Sequence, residues 1–481
     1  MKKLEFKDLG LSEEILESIG KLGYKTPSSI QEKVIPIILK NRDIIAKAKT
    51  GSGKTAAFAI PICEKIELEE KAPQVLVLTP TRELAYQIKE DFLNIGRFKR
   101  LRCVSIFGKE PISNQIRELK QRCHIVVGTP GRILDHIERE TLNLSKIKYV
   151  VIDEADEMLN MGFIEQVEGI LSKLGKNRNT LLFSATLPET IVNLSKKYMK
   201  NAENVEVKDE ASSKGEIEEL YYKVEAREKF SLLVKLIYKE LPGSSIVFCR
   251  TKDNVEEVFG KMKDKGFICG ALHGGMLQQD RIQVMNDFKK GKFTFLVATD
   301  VAARGIDVEN ITHVINYDIP MEKESYIHRI GRTGRMGNRG KAITFVTMKE
   351  ERFLKDIENE FSRDIKEGNM PTKEEVLKGR ETLKSTSQKL NKTKHNKIEK
   401  LNKDITKLHL SAGRKKKIRP GDIAGTISSI EGIKPEDIGI IDIHDSFSYV
   451  EILNGKGNVV IKAMESKTIK GKKVRAQVAQ K

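Results

Sequence analysis

A chain of 481 residues is too long for one ordinary core and predicts two to four domains. With 39% apolar and 32% charged residues and no run of eighteen apolar ones, it reads as a globular protein that spans no membrane. The net charge of +18 is uneven: the last 121 residues carry twelve of the surplus charges, as expected of a nearly balanced body with a basic end that holds a polyanion.

The first residues, MKKLEFKDLGLSEEI, contain no apolar stretch before acids appear, so no secretory signal is expected. Five cysteines (Cys63, Cys103, Cys123, Cys249, Cys269) show no C-x-x-C spacing. They predict reduced, buried thiols and a cytoplasmic location rather than disulfides or a zinc site.

Along the first part of the chain, short apolar runs stop abruptly at polar clusters. DIIAKA ends at KTGSGKT, VLVLTP at TREL, HIVVGTP at GR, YVVI at DEAD and TLLF at SAT. Such runs fit parallel strands buried on both faces, with the polar clusters at their carboxyl ends where open α/β sheets bind ligands. The pattern resumes after residue 215 with SSIVFCRT, ICGALHGG, FTFLVATD, HVINYD and AITFVT, a second α/β unit of similar size. Residues 361–403 are rich in lysine and poor in large apolar groups, and read as a basic, mobile connector, helical in part. From residue 404 the signals follow the order βαββαβ: TKLHLS, PGDIAGTISSI, IGIIDIH, FSYVEIL, NVVIKAMES and KKVRAQVA. That order predicts a small α+β RNA-recognition domain. The expected division is therefore 1–207, 208–360, a connector over 361–403, and 404–481.

Residues 48–55, AKTGSGKT, match a P-loop with Ala48 in place of the first Gly. Ala48, Lys49, Thr50, Gly51, Ser52 and Gly53 would curl their backbone around phosphates. Lys54 would meet the β- and γ-phosphates, and the Thr55 hydroxyl would ligate Mg²⁺. In VVIDEADEM, Asp153 suits Mg²⁺ through water, and Glu154 would accept a proton from the attacking water. In HRIGRTGR, Arg332 and Arg335 are spaced to send two guanidiniums to the γ-phosphate. ATP and Mg²⁺ are the expected cofactors, and hydrolysis is expected to need both α/β units.

These stretches, together with Phe6, GYKTPSSIQ (23–31), PTRELAYQ (80–87), TPGR (129–132) and ATDVAARGID (298–307), resemble the DEAD-box RNA helicases over roughly residues 4–360. The resemblance implies two tandem RecA-like parallel-sheet domains and ATP hydrolysis that drives local separation of RNA strands. It implies that Phe6 stacks on adenine, that Gln31 reads its edge, and that Asp307 meets the ribose. Pro80, Thr81, Arg82, Thr129, Gly131 and Arg132 would touch the RNA backbone from the first domain. Thr251, His273, Gly274, Gln278, Arg281 and Thr299 would do so from the second. Ser184 and Thr186 would couple the domains. Lys109 stands where the family usually places a Gly, which leaves the role of that turn open.

The last domain presents GRKKKIR, with Arg414, Lys415, Lys416, Lys417 and Arg419 in one turn, and KGKKVR further on. Phe447 and Tyr449 sit where RNA-recognition domains carry stacking aromatics, but Asp445, Ile452 and His409 depart from the usual pattern. The two rings either stack on bases or only pack. The stretch GTISSIEGI…DIGIID…SYVEILNGKG resembles the DbpA subfamily of bacterial DEAD-box proteins. That implies binding of a 23S ribosomal RNA hairpin and remodelling of nearby RNA during large-subunit assembly. The alternative is a general RNA chaperone or ATP-gated clamp with no specific ribosomal target. The sequence names no protein partner.

Overall fold

Runs that are apolar at every position need cover on both faces, and here they form the middle of parallel sheets. The computed structural model describes residues 4–48, 51–206, 217–303, 311–334, 338–387 and 404–479. The first sheet is built from β1 (Ile44–Lys47), β2 (Val75–Leu78), β3 (Cys103–Ile106), β4 (Ile125–Gly128), β5 (Tyr149–Ile152), β6 (Asn179–Ser184) and β7 (Glu203–Glu206). Its spatial order is β3-β4-β2-β5-β6-β1-β7, and every pairing is parallel. Strands β2, β4 and β5 are buried at every residue.

That order decides where the chemistry lies. The five strands that end in polar clusters, β4, β2, β5, β6 and β1, are consecutive neighbours, so their carboxyl ends form one continuous edge. TPGR and PTREL lie together at one part of that edge; DEAD, SAT and the P-loop lie together at the other.

The second sheet contains β8 (Ile217–Lys223), β9 (Ser245–Phe248), β10 (Cys269–Leu272), β11 (Phe295–Ala298), β12 (His313–Asn316), β13 (Gly340–Val346) and β14 (Lys366–Glu367). Its order is β10-β11-β9-β12-β13-β8-β14, again all parallel. Tyr222, Leu233, Val247, Val255, Val297 and Phe345 are among its buried core.

The expected connector begins as part of this second unit. β14 pairs with β8, and the helix Lys373–Ser387 packs on the helix Lys229–Glu240. Gly379 makes that approach possible, since a Cβ there would lie 1.8 Å from the carbonyl oxygen of Tyr238. A contact made through a bare backbone needs few large apolar residues, which is why composition alone reads as a linker. Residues 388–403 lie outside the described residues.

The C-terminal domain is an antiparallel four-stranded sheet of β15 (Thr406–Leu410), β16 (Ile438–Ile443), β17 (Ser448–Ile452) and β20 (Ala476–Val478), in the order β16-β17-β15-β20. The helices Pro420–Ser428 and Gly457–Met464 cover one face over a core that includes Leu408, Leu410, Ile423, Ile427, Val450 and Val460. The final stretch KKVRAQVA is not one strand. Lys472–Lys473 (β19) pairs with Thr468–Ile469 (β18) in a small hairpin, and only Ala476–Val478 joins the sheet. Two compact units result: the first parallel-sheet domain with the C-terminal domain, and the second parallel-sheet domain. No described helix is long and apolar enough to cross a membrane.

Gly379→Ala is expected to lift the helix Lys373–Ser387 off its neighbour and to cost about 1–3 kcal/mol, in the range of an overpacked core. Hydrogen exchange is the measurement: amides of residues 373–387 should exchange faster while those of β9 and β12 keep their protection.

Candidate functional site

At the end of β1 the backbone turns through Gly51 and Gly53, with φ of 82° and 90°, into the helix Lys54–Lys65. Gly53 is required twice over: its φ is left-handed, and a Cβ would stand 2.6 Å from the Gln31 amide nitrogen. Ala48 is buried and donates its N–H to Ser184 O at 3.0 Å, tying the loop to β6. Ser52 and Thr55 are half-buried. Lys49 and Thr50 lie outside the described residues.

Lys54 is buried, yet its ammonium has no hydrogen-bond acceptor among the described residues. A buried ammonium without a partner is costly, and a phosphate oxygen is the acceptor a P-loop provides for it. Burial pushes the nearby Asp153 carboxyl up to about 6, with the Lys54 charge pulling the other way and Glu154 adding to the rise. Asp153 Oδ1 accepts the Glu154 N–H at 3.0 Å. Glu154 itself is buried and sits in the left-handed region, φ 53° and ψ 53°, a conformation that costs a glutamate energy and is typical of functional turns. The donor set of a hydroxyl at Thr55 and a carboxylate at Asp153 suits Mg²⁺, a hard cation.

Phe6 is buried with its ring edge-on to Tyr24, centroids 6.1 Å apart. The Gln31 side chain accepts the Ser28 N–H at 2.9 Å and donates to Gly53 O at 3.2 Å, so it is bound to the phosphate loop itself. The last acid of DEAD, Asp156, escaped the sequence reading. Its Oδ2 accepts from the N–H groups of Ala185 (3.1 Å) and Thr186 (2.8 Å) and from the Thr186 hydroxyl (3.0 Å), while its own N–H meets the Ser184 hydroxyl at 3.2 Å. One buried carboxylate thereby fixes the SAT turn to the DEAD turn.

On the other part of the same edge, Pro80 is buried and Thr81 caps the helix Arg82–Ile95, its hydroxyl accepting the Leu84 N–H at 3.3 Å. The Arg82 guanidinium lies beside Gly108. Thr129 precedes the helix Pro130–Glu138, and Gly131 is exposed in its first turn. The Arg132 guanidinium donates to Glu110 O at 3.1 Å and to Gln115 Oε1 at 3.0 Å. Gln115 is a second omission of the sequence reading. Buried, it also donates to Phe107 O at 2.8 Å and meets His136 Nε2 at 3.1 Å, so it locks the Lys109 turn to TPGR. Lys109 is exposed and holds φ 64°, a value its usual glycine would adopt freely.

In the second unit Thr251 is exposed and caps the helix Lys252–Asp264 through Asn254 N–H at 3.1 Å. Asp318, also unpredicted, orders this turn by accepting from Arg250 N–H (3.0 Å), the Asn254 amide (3.1 Å) and Lys229 (2.9 Å). Burial works to raise its carboxyl, but Lys229 and these donors outweigh it and hold it below the usual value. His273 accepts the Gly275 N–H on Nδ1, which makes Nε2 the donor to Glu256. Gly274 is exposed, Thr299 half-buried, and Gln278 and Arg281 are buried in the first turn of the helix Gln278–Lys289. Arg332 is buried and donates from Nε to His328 O at 3.2 Å. Arg329, in the same stretch, grips Asp300 with two nitrogens and donates to Asn316 and Asp318 O, anchoring this segment to β12. Asp307 and Arg335 lie outside the described residues.

In the C-terminal domain Arg414–Lys416 form a single 3-10 turn with exposed side chains, and Lys417 follows at φ 56°. Lys472 and Lys470 reach back to the carbonyls of Lys416 and Lys417, so the two basic stretches share one surface. The aromatic side chains are already engaged. Phe447 stacks on His409 and on His444, with centroids 5.2 and 4.5 Å apart, and the Lys407 ammonium stands 4.6 Å above the Tyr449 ring.

Asp156→Ala should remove the acceptor that holds the Ala185 and Thr186 amides. Their exchange is expected to rise roughly ten- to hundredfold, the equivalent of about 1.5–3 kcal/mol for bonds to a charged acceptor, as read by site-resolved hydrogen exchange.

Three family models match in chain order: DEAD/DEAH box helicase over residues 28–194, helicase conserved C-terminal domain over 228–337, and DbpA RNA binding domain over 407–478. The chain is 53% identical over 476 residues to ATP-dependent RNA helicase DbpA of Bacillus subtilis, covering 99% of both proteins. It is 47% identical over 378 residues to DEAD-box ATP-dependent RNA helicase CshA of Geobacillus kaustophilus, covering 79% of this chain and 81% of that one. Among solved structures, Saccharomyces cerevisiae Dbp5 bound to RNA and ADP BeF3 superposes with a TM-score of 0.69 at 32% identity, over 81% of this chain and all of that one. With the P-loop, DEAD and SAT turns side by side on one sheet edge and this likeness running the length of the chain, it belongs to the DEAD-box ATP-dependent RNA helicases and carries a DbpA-type RNA-binding domain.

Proposed function

We propose that this helicase takes a 23S ribosomal RNA hairpin on its C-terminal domain and remodels neighbouring RNA during assembly of the large ribosomal subunit. The observation that carries this reading is the exposed basic turn Arg414–Lys417, presented by a folded domain of the DbpA type. A polybasic turn alone attracts any phosphate backbone; fixed to a folded surface, it can select a shape. Five free cysteines, four of them buried, fit a cytoplasmic enzyme.

In the core, the P-loop would cradle the ATP phosphates, and Lys54, whose buried ammonium has no hydrogen-bond acceptor among the described residues, would meet them. Thr55 and Asp153 offer the oxygens that suit Mg²⁺, which when bound neutralises charge on the β- and γ-phosphates. Gln31 and Phe6 take the adenine, and Asp307 the ribose. Glu154 orients the attacking water and accepts its proton. Arg332 and Arg335 stabilise charge on the transferring phosphoryl group. These groups come from both parallel-sheet domains, so turnover requires both. RNA backbone contacts come from the PTREL and TPGR turns of the first domain and from Thr251, His273, Gly274, Gln278, Arg281 and Thr299 of the second.

Glu154→Gln keeps the shape and removes the proton acceptor. ATP and RNA binding should persist while turnover falls by on the order of 10²–10⁴-fold, measured as RNA-stimulated hydrolysis beside a nucleotide titration. Near-normal turnover would place the general base elsewhere.

The ribosomal reading is tested by ATPase activity against a panel of RNAs of equal length, with and without residues 404–481. Basal hydrolysis should survive the deletion, and the preference for 23S-derived hairpins should vanish. Replacing Lys415, Lys416 and Lys417 with Ala should flatten the salt dependence of hairpin binding by roughly 0.7–0.9 in log–log slope per lost phosphate contact. Equal stimulation by ribosomal and scrambled RNA would sink the specific target.

A further inference from the structure

The outward face of the C-terminal sheet carries two carboxylates, Asp442 and Glu451, beside Lys407, His409 and Tyr449. Along β17, Ser448, Val450 and Ile452 are buried, and Tyr449 and Glu451 alternate with them on the other face. Asp442 stands opposite Tyr449 on β16, and Lys407 opposite Glu451 on β15. Both acids have partners on the first parallel-sheet domain, in the turn GRFKRLR between the helix Arg82–Ile95 and β3. Arg97 Nη2 donates to Glu451 Oε1 at 2.8 Å, with only 14% and 13% of the two side chains exposed. Arg102 pairs with Asp442, and Arg100 donates to Pro435 O at 2.6 Å.

We infer that this sheet face is a docking surface for the first parallel-sheet domain, with Asp442 and Glu451 receiving Arg102 and Arg97, and that RNA is taken on the basic turn Arg414–Lys417 instead. Three observations converge on the division. The charges are complementary, acid on the sheet and arginine on the turn. The Arg97–Glu451 pair is largely withdrawn from water, so removing one partner alone would leave the other charge buried and uncompensated. The rings that would stack on bases already have stacking partners: Phe447 lies against His409 and His444, and Lys407 stands over Tyr449. Docking in this way fixes the RNA-binding domain to the domain that carries PTREL and TPGR, so a bound hairpin is held in a set relation to those turns. Only that last consequence rests on the proposed RNA reading; the docking itself does not.

The test uses the full chain without RNA. In Arg102→Lys, a water-soluble carbodiimide should condense the new amine with the Asp442 carboxylate, giving a peptide pair joined between residues 102 and 442 by mass spectrometry. The pair should be lost in Arg102→Lys combined with Asp442→Asn. In a second measurement, Asp442→Lys with Glu451→Lys, or Arg97→Glu with Arg102→Glu, should raise amide exchange in residues 97–102. The four changes together should restore protection. Unchanged exchange of Leu408 and Val450 amides reports that the domain stays folded. No 102–442 pair, together with exchange that ignores every charge reversal, would overturn the docking. Adding a 23S-derived hairpin should leave the cross-link in place; its loss on RNA addition would show that the sheet face is the RNA platform. Failure of the hairpin to bind at all would remove the ribosomal reading and leave the RNA-free cross-link as it stands.

Discussion

A parallel sheet covered on both faces has only its strand ends free for chemistry. This enzyme depends on that constraint twice. In the first sheet the neighbours β4, β2, β5, β6 and β1 all point the same way, so five turns from distant parts of the chain meet along one edge. Their short polar sequences need no long side chains to reach each other, because the strand order has already done the gathering. The second sheet repeats the device with β10, β11 and β9 adjacent and β12 beside them.

Between those turns the coupling runs through buried polar groups rather than through apolar contact. Asp156 joins SAT to DEAD, Gln115 joins the Lys109 turn to TPGR, and Asp318 joins the end of β12 to the turn that bears Thr251. Each is a buried acceptor with several donors, a directional and fully committed arrangement. Moving one turn means breaking bonds in the next. Gln31 extends this wiring to the nucleotide loop, since its amide is bonded to Gly53 O.

The turns themselves were legible in the sequence, because glycines, acids and arginines at fixed spacing after an apolar run carry their chemistry openly. The acceptors that hold them were not. Gln115 sits mid-helix in ISNQIREL, and nothing in its neighbours distinguishes it from a surface glutamine until Phe107, Arg132 and His136 arrive around it. Arg329 was overlooked beside Arg332 because local sequence does not say which arginine of HRIGRTGR turns inward to Asp300. The helix Lys373–Ser387 looked like linker because its packing runs through Gly379, a residue that adds no apolar signal. The last strand was read too long, since KKVRAQVA alternates well enough for one strand but a hairpin takes its first two residues. Of the two aromatics expected on the C-terminal strand, Tyr449 lies on it and Phe447 just before its first residue, and the histidines that stack on Phe447 could only be known once the strands paired.

The cysteines have a practical consequence. Cys63, Cys103, Cys123 and Cys249 are buried and Cys269 is partly so, and burial pushes all five thiols above their ordinary range. At neutral pH each keeps its proton, and it is the thiolate that reacts. Peroxides and alkylating reagents therefore find little to attack at the four buried positions. A cysteine introduced on its surface would stand out by its accessibility from the four buried ones, so a single dye or spin label calls for replacing Cys269 alone.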